Sequence, residues 1–396
     1  GEGSAVQVDL KLDEEQRQIV AMVRELAQER IAPFAAEWDE REEFPWPVVE
    51  AYREAGLFAL AFPESYGGVG ASAVTQVLVV EELAKVDATA AIILAVQWLG
   101  ALPILVAGSE AQKARYLPKL ASGEWLAAMA LTEPEAGSDV AGLQARAVRV
   151  DGGYRLTGQK KFISHGAIAD VLTTFARTGG PGAKGLSAFI VEKGAPGVRV
   201  GRIERKLGLR ASNTAEILFD DCFVPERHRI GEEGEGFSIA MRTLDRSRPA
   251  VAAQALGIAE GAFAAALQYA QERRAFGQEI ARFQAIQFML ADMAMGIEAA
   301  RGLVYRAAHL VEEEGRGGGR LTTANRYSAM AKCFASDVAM QVTIDAVQIL
   351  GGYGYIRDFP VERFMRDAKI TQIYEGTNQI QRIIIARSYL DLAPGP

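Results

Sequence analysis

The spacing of apolar residues changes period twice along this chain, and no other feature of the sequence narrows the fold so far. From about residue 12 to residue 120 apolar side chains recur at helical spacing, with few β-branched runs apart from VLVV at 77–80. From about residue 125 the pattern becomes short and alternating. AVRV (147–150) and YRLTG (154–158) flank Asp151-Gly152, a strong hairpin signal, and DVLTTFA (170–176), LSAFIVE (186–192), GVRVGRI (197–203) and AEILFDDCFV (215–224) follow. After Gly236 the helical period returns. Ile286, Leu290, Met293, Ile297, Ala300, Val304, Ala307 and Val311 recur in steps of four and three, the seam of a helix packed in a bundle. GRGGGR (315–320) reads as the turn between two long antiparallel helices. The expected organisation is an α+β multidomain chain: a helical domain (1–124), a compact β-domain (125–235) and a helical bundle (236–396).

Charge and composition exclude several function classes. With 43 basic and 50 acidic residues in 396, the net charge is −7, which does not suit a general nucleic-acid binder. Two cysteines, Cys222 and Cys333, and three scattered histidines assemble neither a disulfide framework nor a short metal motif, so no metal is expected and a reducing setting is, cytoplasmic or, for a processed eukaryotic chain, the mitochondrial matrix. The first residues lack the basic and apolar regions of a secretory signal. The uncharged stretch between Asp87 and Glu110 approaches the length of a membrane span. Gln97, Gly100 and Pro103 interrupt it, however, and the expectation is a buried helix pair broken at Pro103, with no transmembrane segment.

Several motifs match familiar chemistry without its context. GPGAKG (180–185) and GVGASA (68–73) resemble dinucleotide glycine patterns but lack the strand-before, helix-after setting, so both read as loops. Ser164-His165 cannot form a nucleophile–base pair on an extended segment, where neighbours face opposite sides, and no G-x-S-x-G elbow or Walker loop is present. Three other segments are more unusual. ALTEPEAGSD (130–139) gathers small residues and hydroxyl donors, and QILGGYGY (348–355) admits a close backbone or phosphate, although a plain turn and a glycine-ended helix would look the same. In YEGTNQ (374–379), Glu375 follows the apolar Ile370 and Ile373; a carboxylate in such a pocket has the raised pKa of a general base, and a solvated helix end is the plainer alternative.

Taken together these segments resemble the flavin-dependent acyl-CoA dehydrogenase family, and the resemblance covers essentially the whole chain. ALTEPEAGSD and QILGGYGYIRDFPVERFMRD (348–367) match two family signatures, with GQKKFIS (158–164), KLGLRASNTAEI (206–217), GEGF (234–237), ERRAFGQ (272–278) and QIYEGTNQIQR (372–382) in family order. The resemblance implies an N-terminal helical domain, a middle β-barrel-like domain and a C-terminal four-helix bundle, assembled as a homotetramer. It implies FAD as cofactor, an acyl-CoA substrate and an electron-transfer flavoprotein as acceptor. Met129, Leu131, Thr132, Ser138, Phe162 and Ser164 would surround the flavin and its ribityl chain. Arg273, Phe276 and Gln284, with Gln348, Gly351 and Gly352, would meet FAD across a subunit interface, and Thr377 and Gln379 would complete that site.

The acyl-CoA would contact Ser138 through its pantetheine arm and Asp245, Ser247 and Arg248 near the nucleotide end, with Tyr374 and Gly376 at the reacting end. Ile92, Ala95, Trp98 and Tyr374 are the expected acyl-pocket wall. Glu375 would abstract the α-proton while the β-hydride passes to the flavin, the thioester oxygen being held by the backbone N–H of Glu375 and a ribityl hydroxyl. Some members carry the base in an L-D-x-x-R segment, here Leu244 to Arg248, where Ser247 occupies the alternative position and cannot act as a base. The chain is therefore similar to short-chain and medium-chain members. It departs from many members at Phe162 and His165, where Trp and Asn are common; His165 is expected to be a structural donor. Three alternatives retain the fold: an acyl-CoA oxidase or related monooxygenase, a dehydrogenase acting on acyl carrier protein, and a non-catalytic scaffold.

Overall fold

The computed structural model describes residues 11–392; the reading of no secretory signal falls largely on residues outside this range. Asp13 opens the chain with a capping box to Gln16 at the start of α1 (Glu14–Arg30). There follow α2 (Ala35–Arg41), α3 (Trp46–Ala55), α4 (Ala73–Ala84), α5 (Ala88–Ala107) and α6 (Glu110–Ser122). Ser72, Asp87 and Ser109 each accept a backbone N–H at the helix start, so short polar residues set the beginnings of α4, α5 and α6.

The expected break at Pro103 does not occur. Pro103 lies inside α5, and the chain turns only at Gly108 and Ser109. Most of α5 is buried, and packing around it offsets the one backbone hydrogen bond that proline removes. Among the described residues three helices, including α5, are long and apolar enough to cross a membrane by length and composition. In this fold they supply its interior.

The middle strands are β1 (Ala127–Ala130), β2 (Arg146–Val150), β3 (Gly153–Ser164), β4 (Val171–Arg177), β5 (Leu186–Glu192), β6 (Val198–Ile203), β7 (Thr214–Pro225) and β8 (Arg229–Ile230). Their order is β6-β7-β3-β2-β4-β5-β8, with β1 added parallel to β4. The Asp151-Gly152 hairpin is present, pairing Val150 with Gly153. β2 touches β4 only at Arg146 and Arg177, so the sheet folds there into two limbs. Leu156, Ile217 and Phe219 of one limb share a core with Leu172, Phe189 and Val191 of the other, which makes the layer barrel-like. The four-residue β1 has too little alternation to be seen in the sequence.

The C-terminal part contains α7 (Gly236–Glu272), a small hairpin of β9 (Arg274–Ala275) and β10 (Gln278–Glu279), α8 (Gln284–Gly315), α9 (Thr323–Leu350), α10 (Gly352–Tyr355), α11 (Val361–Thr371) and α12 (Asn378–Tyr389). The α8 seam is buried from Met293 to Val311, while Ile286 and Leu290 are only partly covered. A Cβ at Gly257 or Gly261 would come within 2.4 Å of the Glu81 carbonyl or 2.3 Å of the Lys85 carbonyl. These glycines let α7 lie directly against the end of α4, so N- and C-terminal helices share one apolar core.

Candidate active site

A cavity of about 870 Å³ opens where the helical layers meet the sheet. Its apolar wall includes Ile92, Ala95 and Trp98 of α5, and Tyr374 closes one side. All four residues expected to line an acyl pocket are therefore brought together. Trp98 also donates from Nε1 to the Phe58 carbonyl at 3.0 Å, so it belongs to the core as well as to the wall.

The opposite lip is polar. It is formed by Met129 of β1, by Leu131, Thr132 and Ser138, which follow that strand, and by Phe162 and Ser164 at the end of β3. β3 slips register against β7 between Lys160 and Ile163, and Phe162 takes a φ of +58°. This bulge turns Phe162 out of the sheet, leaving its ring 59% exposed against the cavity. Beneath it, the fully buried Lys160 donates to the Leu131 carbonyl at 3.0 Å and to Glu133 at 2.7 Å. Glu133 in turn accepts the Gln144 and Ala145 N–H groups, fixing the whole lip. Burial lowers the Lys160 ammonium to about 8, against the pull of Glu133. The sequence reading did not single out Lys160 or Glu133; the alternation of β3 places Lys160 among inward residues, and that is the signal that was there to find.

Glu375 sits in the turn between α11 and α12, with φ +55°, followed by Gly376 at +89°. Consecutive left-handed residues reverse the chain sharply, and a non-glycine residue holds this conformation only when its surroundings impose it. Position 376 favours glycine because of its φ, and a Cβ there would also press on Gln381 Nε2 at 2.6 Å. The Glu375 carboxylate lines the cavity and accepts a hydrogen bond from Ser247 Oγ at 3.1 Å. Burial raises its pKa above the usual carboxylate value, opposed by the Ser247 hydrogen bond and the charges of Arg248 and Lys332. Tyr374, hydrogen-bonded to Gln254, has its phenol pushed well up by burial and by the neighbouring Glu375.

Two residues of the L-D-x-x-R segment, Ser247 and Arg248, line this cavity as well. Ser247 and Arg248 converge on Glu375: Arg248, buried, directs Nε at the Glu375 carbonyl (3.5 Å) and donates from Nη1 to Asn325 (2.7 Å). Asp245 does not line the cavity; it is buried and taken up by Arg320 at 2.7 Å and the Leu321 N–H at 3.2 Å. These residues lie three or fewer positions apart on α7, and the helix carries 247 and 248 toward the turn while Asp245 faces the α8–α9 connection. The alternative base position and Glu375 are thus neighbours in space.

Thr377 and Gln379 lie beside the large cavity's Gly376 and Ile380 without lining the cavity themselves. Thr377 caps α12, accepting the Ile380 N–H at 3.3 Å, and Gln379 is exposed. The six residues expected to reach a cofactor across a subunit interface lie away from it, on the surface. Arg273, Gly351 and Gly352 border a separate depression of about 410 Å³, where Arg273 lies over the Tyr353 ring. Phe276 is 94% exposed, and Gln284 and Gln348 are exposed too. His165 is buried beside Phe44 and shares a 3.0 Å hydrogen bond with Ser212; burial and the charge of Lys206 push it down to about 3, so it stays neutral and structural.

This arrangement can hold a flat, polar-edged group along the lip and an apolar chain along the α5 wall, with a carboxylate between them. Comparison with known proteins decides what it is. The chain matches the acyl-CoA dehydrogenase N-terminal domain over residues 13–124, the middle domain over 128–222 and the C-terminal domain over 234–390. It belongs to the acyl-CoA dehydrogenase family. A short-chain specific acyl-CoA dehydrogenase of Clostridium acetobutylicum is 47% identical over 381 residues, spanning 96% of this chain and 99% of that one. The butyryl-CoA dehydrogenase structure from Megasphaera elsdenii aligns with a TM-score of 0.92 at 45% identity, covering 96% of this chain and 99% of that one. A chain from a structure on the electron transferring flavoprotein of Acidaminococcus fermentans aligns with a TM-score of 0.93 at 51% identity, covering 97% and 100%.

The chain is accordingly an FAD-dependent oxidoreductase with acyl-CoA dehydrogenase activity. Its residues fit the cofactor: the outturned Phe162 offers a ring face, and the Thr132, Ser138 and Ser164 hydroxyls line the same lip.

Proposed function

We propose that Glu375 is the base that removes the α-proton of an acyl-CoA thioester, to give the trans-2-enoyl-CoA. The observation that carries this reading is its carboxylate, held by Ser247 at the junction of the apolar wall and the polar lip. An α-proton is very weakly acidic, so the developing negative charge on the thioester oxygen needs a donor. The Glu375 backbone N–H makes no hydrogen bond among the described residues, and in this reading it donates to that oxygen. Bound FAD supplies the acceptor for the β-hydride. Burial of Glu375 makes it a stronger base than an exposed carboxylate, while Ser247, Arg248 and Lys332 favour its ionised form. Thr132, Ser138, Phe162 and Ser164 orient the cofactor, and the wall of Ile92, Ala95, Trp98 and Tyr374 excludes water and receives the acyl chain.

We further infer a short or medium acyl chain, an electron-transfer flavoprotein as acceptor, a cytoplasmic setting and a homotetramer. The neighbouring structures on butyryl-CoA dehydrogenase and on electron transferring flavoprotein support the first two. The exposed Arg273, Phe276, Gln284, Gln348, Gly351 and Gly352 support the last, as a surface suited to a second subunit. Anaerobic titration of the yellow protein with straight acyl-CoAs of increasing length tests the reading. Bleaching of the flavin by short or medium chains is expected; no bleaching by any acyl-CoA overturns it.

A further inference from the structure

Lys332 lies behind the catalytic turn on α9 and is completely buried, yet no carboxylate lies within 4.0 Å of its Nζ among the described residues. An ammonium group buried without an ion-pair partner is costly and calls for a physical reason. Its donors go to two acceptors of the turn, the Gly376 carbonyl and Asn378 Oδ1, each at 2.8 Å. Asn378 is itself fixed, donating to Ser336 Oγ and Asp337 Oδ1 at 2.8 Å. Gln381 Nε2 reaches the Glu375 and Gly376 carbonyls from the other side at 3.1 and 2.9 Å. The main-chain oxygens of the turn are therefore held from behind, while the Glu375 carboxylate projects into the cavity.

We propose that Lys332 is a positioning residue for the reaction: its ammonium clamps the Glu375–Gly376 turn and supplies the positive charge that balances the ionised base. This rests on the reading of Glu375 as the base. The charged and titratable groups packed around that carboxylate are Arg248 of α7, with Asp245 and Arg320 beyond it; Lys332, Cys333 and Asp337 of α9; and Tyr374 and Arg382 on either side along the chain. Burial lowers Lys332 to about 8, and the charge of Glu375 is the largest influence holding it up.

The test measures the pH dependence of kcat/KM for butyryl-CoA in FAD-loaded wild type, Lys332→Met and Lys332→Gln, with Glu375→Gln as a reference. Methionine removes both clamp and charge; glutamine removes the charge but keeps an uncharged amide donor facing the turn. Loss of the charge is expected to move the acid limb upward by about one pH unit in both variants. Loss of the clamp is expected to lower the plateau kcat in Lys332→Met by about tenfold or more, with partial recovery in Lys332→Gln. An acid limb unchanged in Lys332→Gln overturns the proposal, and this variant decides the matter if Lys332→Met does not fold. An active Glu375→Gln would instead overturn the reading of the base, so the two failures are distinguishable.

Discussion

Replacing Ser247 with alanine removes the one hydroxyl that donates to the Glu375 carboxylate, and the size of the effect follows from the geometry. The bond is 3.1 Å long and the serine is buried, so water does not substitute for it fully. A hydrogen bond to an ionised group contributes about 1.5–3 kcal/mol and one between neutral groups about 0.5–1.5 kcal/mol. When Glu375 is protonated the hydroxyl still has a use, since the Leu244 carbonyl lies 3.4 Å away as a second acceptor. The difference between the two protonation states is then about 1.4 kcal/mol, which corresponds to about one pH unit. Ser247→Ala should raise the Glu375 pKa further, because the ionised form alone loses support. Stopped-flow bleaching by butyryl-CoA, measured from pH 5 to 9, should show the acid limb displaced upward by about one unit. Rates below the limb should fall about tenfold, with little change on the plateau. A limb that stays in place, or moves down, would refute the reasoning.

Asp367 is buried and its pKa is raised to about 7 by burial and by the charge of Asp87. The folded state therefore favours its protonated form, a stabilisation fully present below about pH 4 and lost as the pH rises through 7. Asp367→Asn still accepts the Leu209 N–H and should flatten the decline of Tm between pH 5 and 8; a decline as steep as in the wild type would count against it. Gly100 of α5 abuts β1, and a Cβ there would lie 2.8 Å from the backbone of Ala127 and Ala128. Gly100→Ala should lower stability by about 1–3 kcal/mol and displace the lip that follows β1. Differential scanning calorimetry and the flavin-to-protein absorbance ratio check this, both being expected to fall.

How much of this was legible in the sequence depended on whether the signal was local. The hairpin at Asp151-Gly152, the α8 seam and the turn at 315–320 follow from period and turn chemistry, and all are present. Pro103 misled because burial around α5 outweighed a local rule. The lip residues from Met129 to Ser164 and the wall residues Ile92, Ala95, Trp98 and Tyr374, picked out in the sequence by motif, line one cavity. That Ser247 and Arg248 meet Glu375 while Asp245 turns to Arg320 was not legible, since a motif gives spacing along a helix and not the direction in which each side chain leaves it. The β3 alternation marks Lys160 as inward, but its partner Glu133, and the hold of Lys332 on the Gly376 carbonyl, are long-range contacts that no local pattern reveals.

The central claim is that Glu375 takes the α-proton, and its most direct test is rapid anaerobic mixing of butyryl-CoA with FAD-loaded wild type and Glu375→Gln. Glutamine preserves the shape of the side chain and an acceptor for Ser247 Oγ, but has no basic oxygen. The account predicts immediate loss of flavin absorbance in the wild type. In the variant it predicts retained yellow colour, with acyl-CoA still bound and bleaching slowed by on the order of ten-thousandfold. Bleaching of Glu375→Gln at close to the wild-type rate would contradict it.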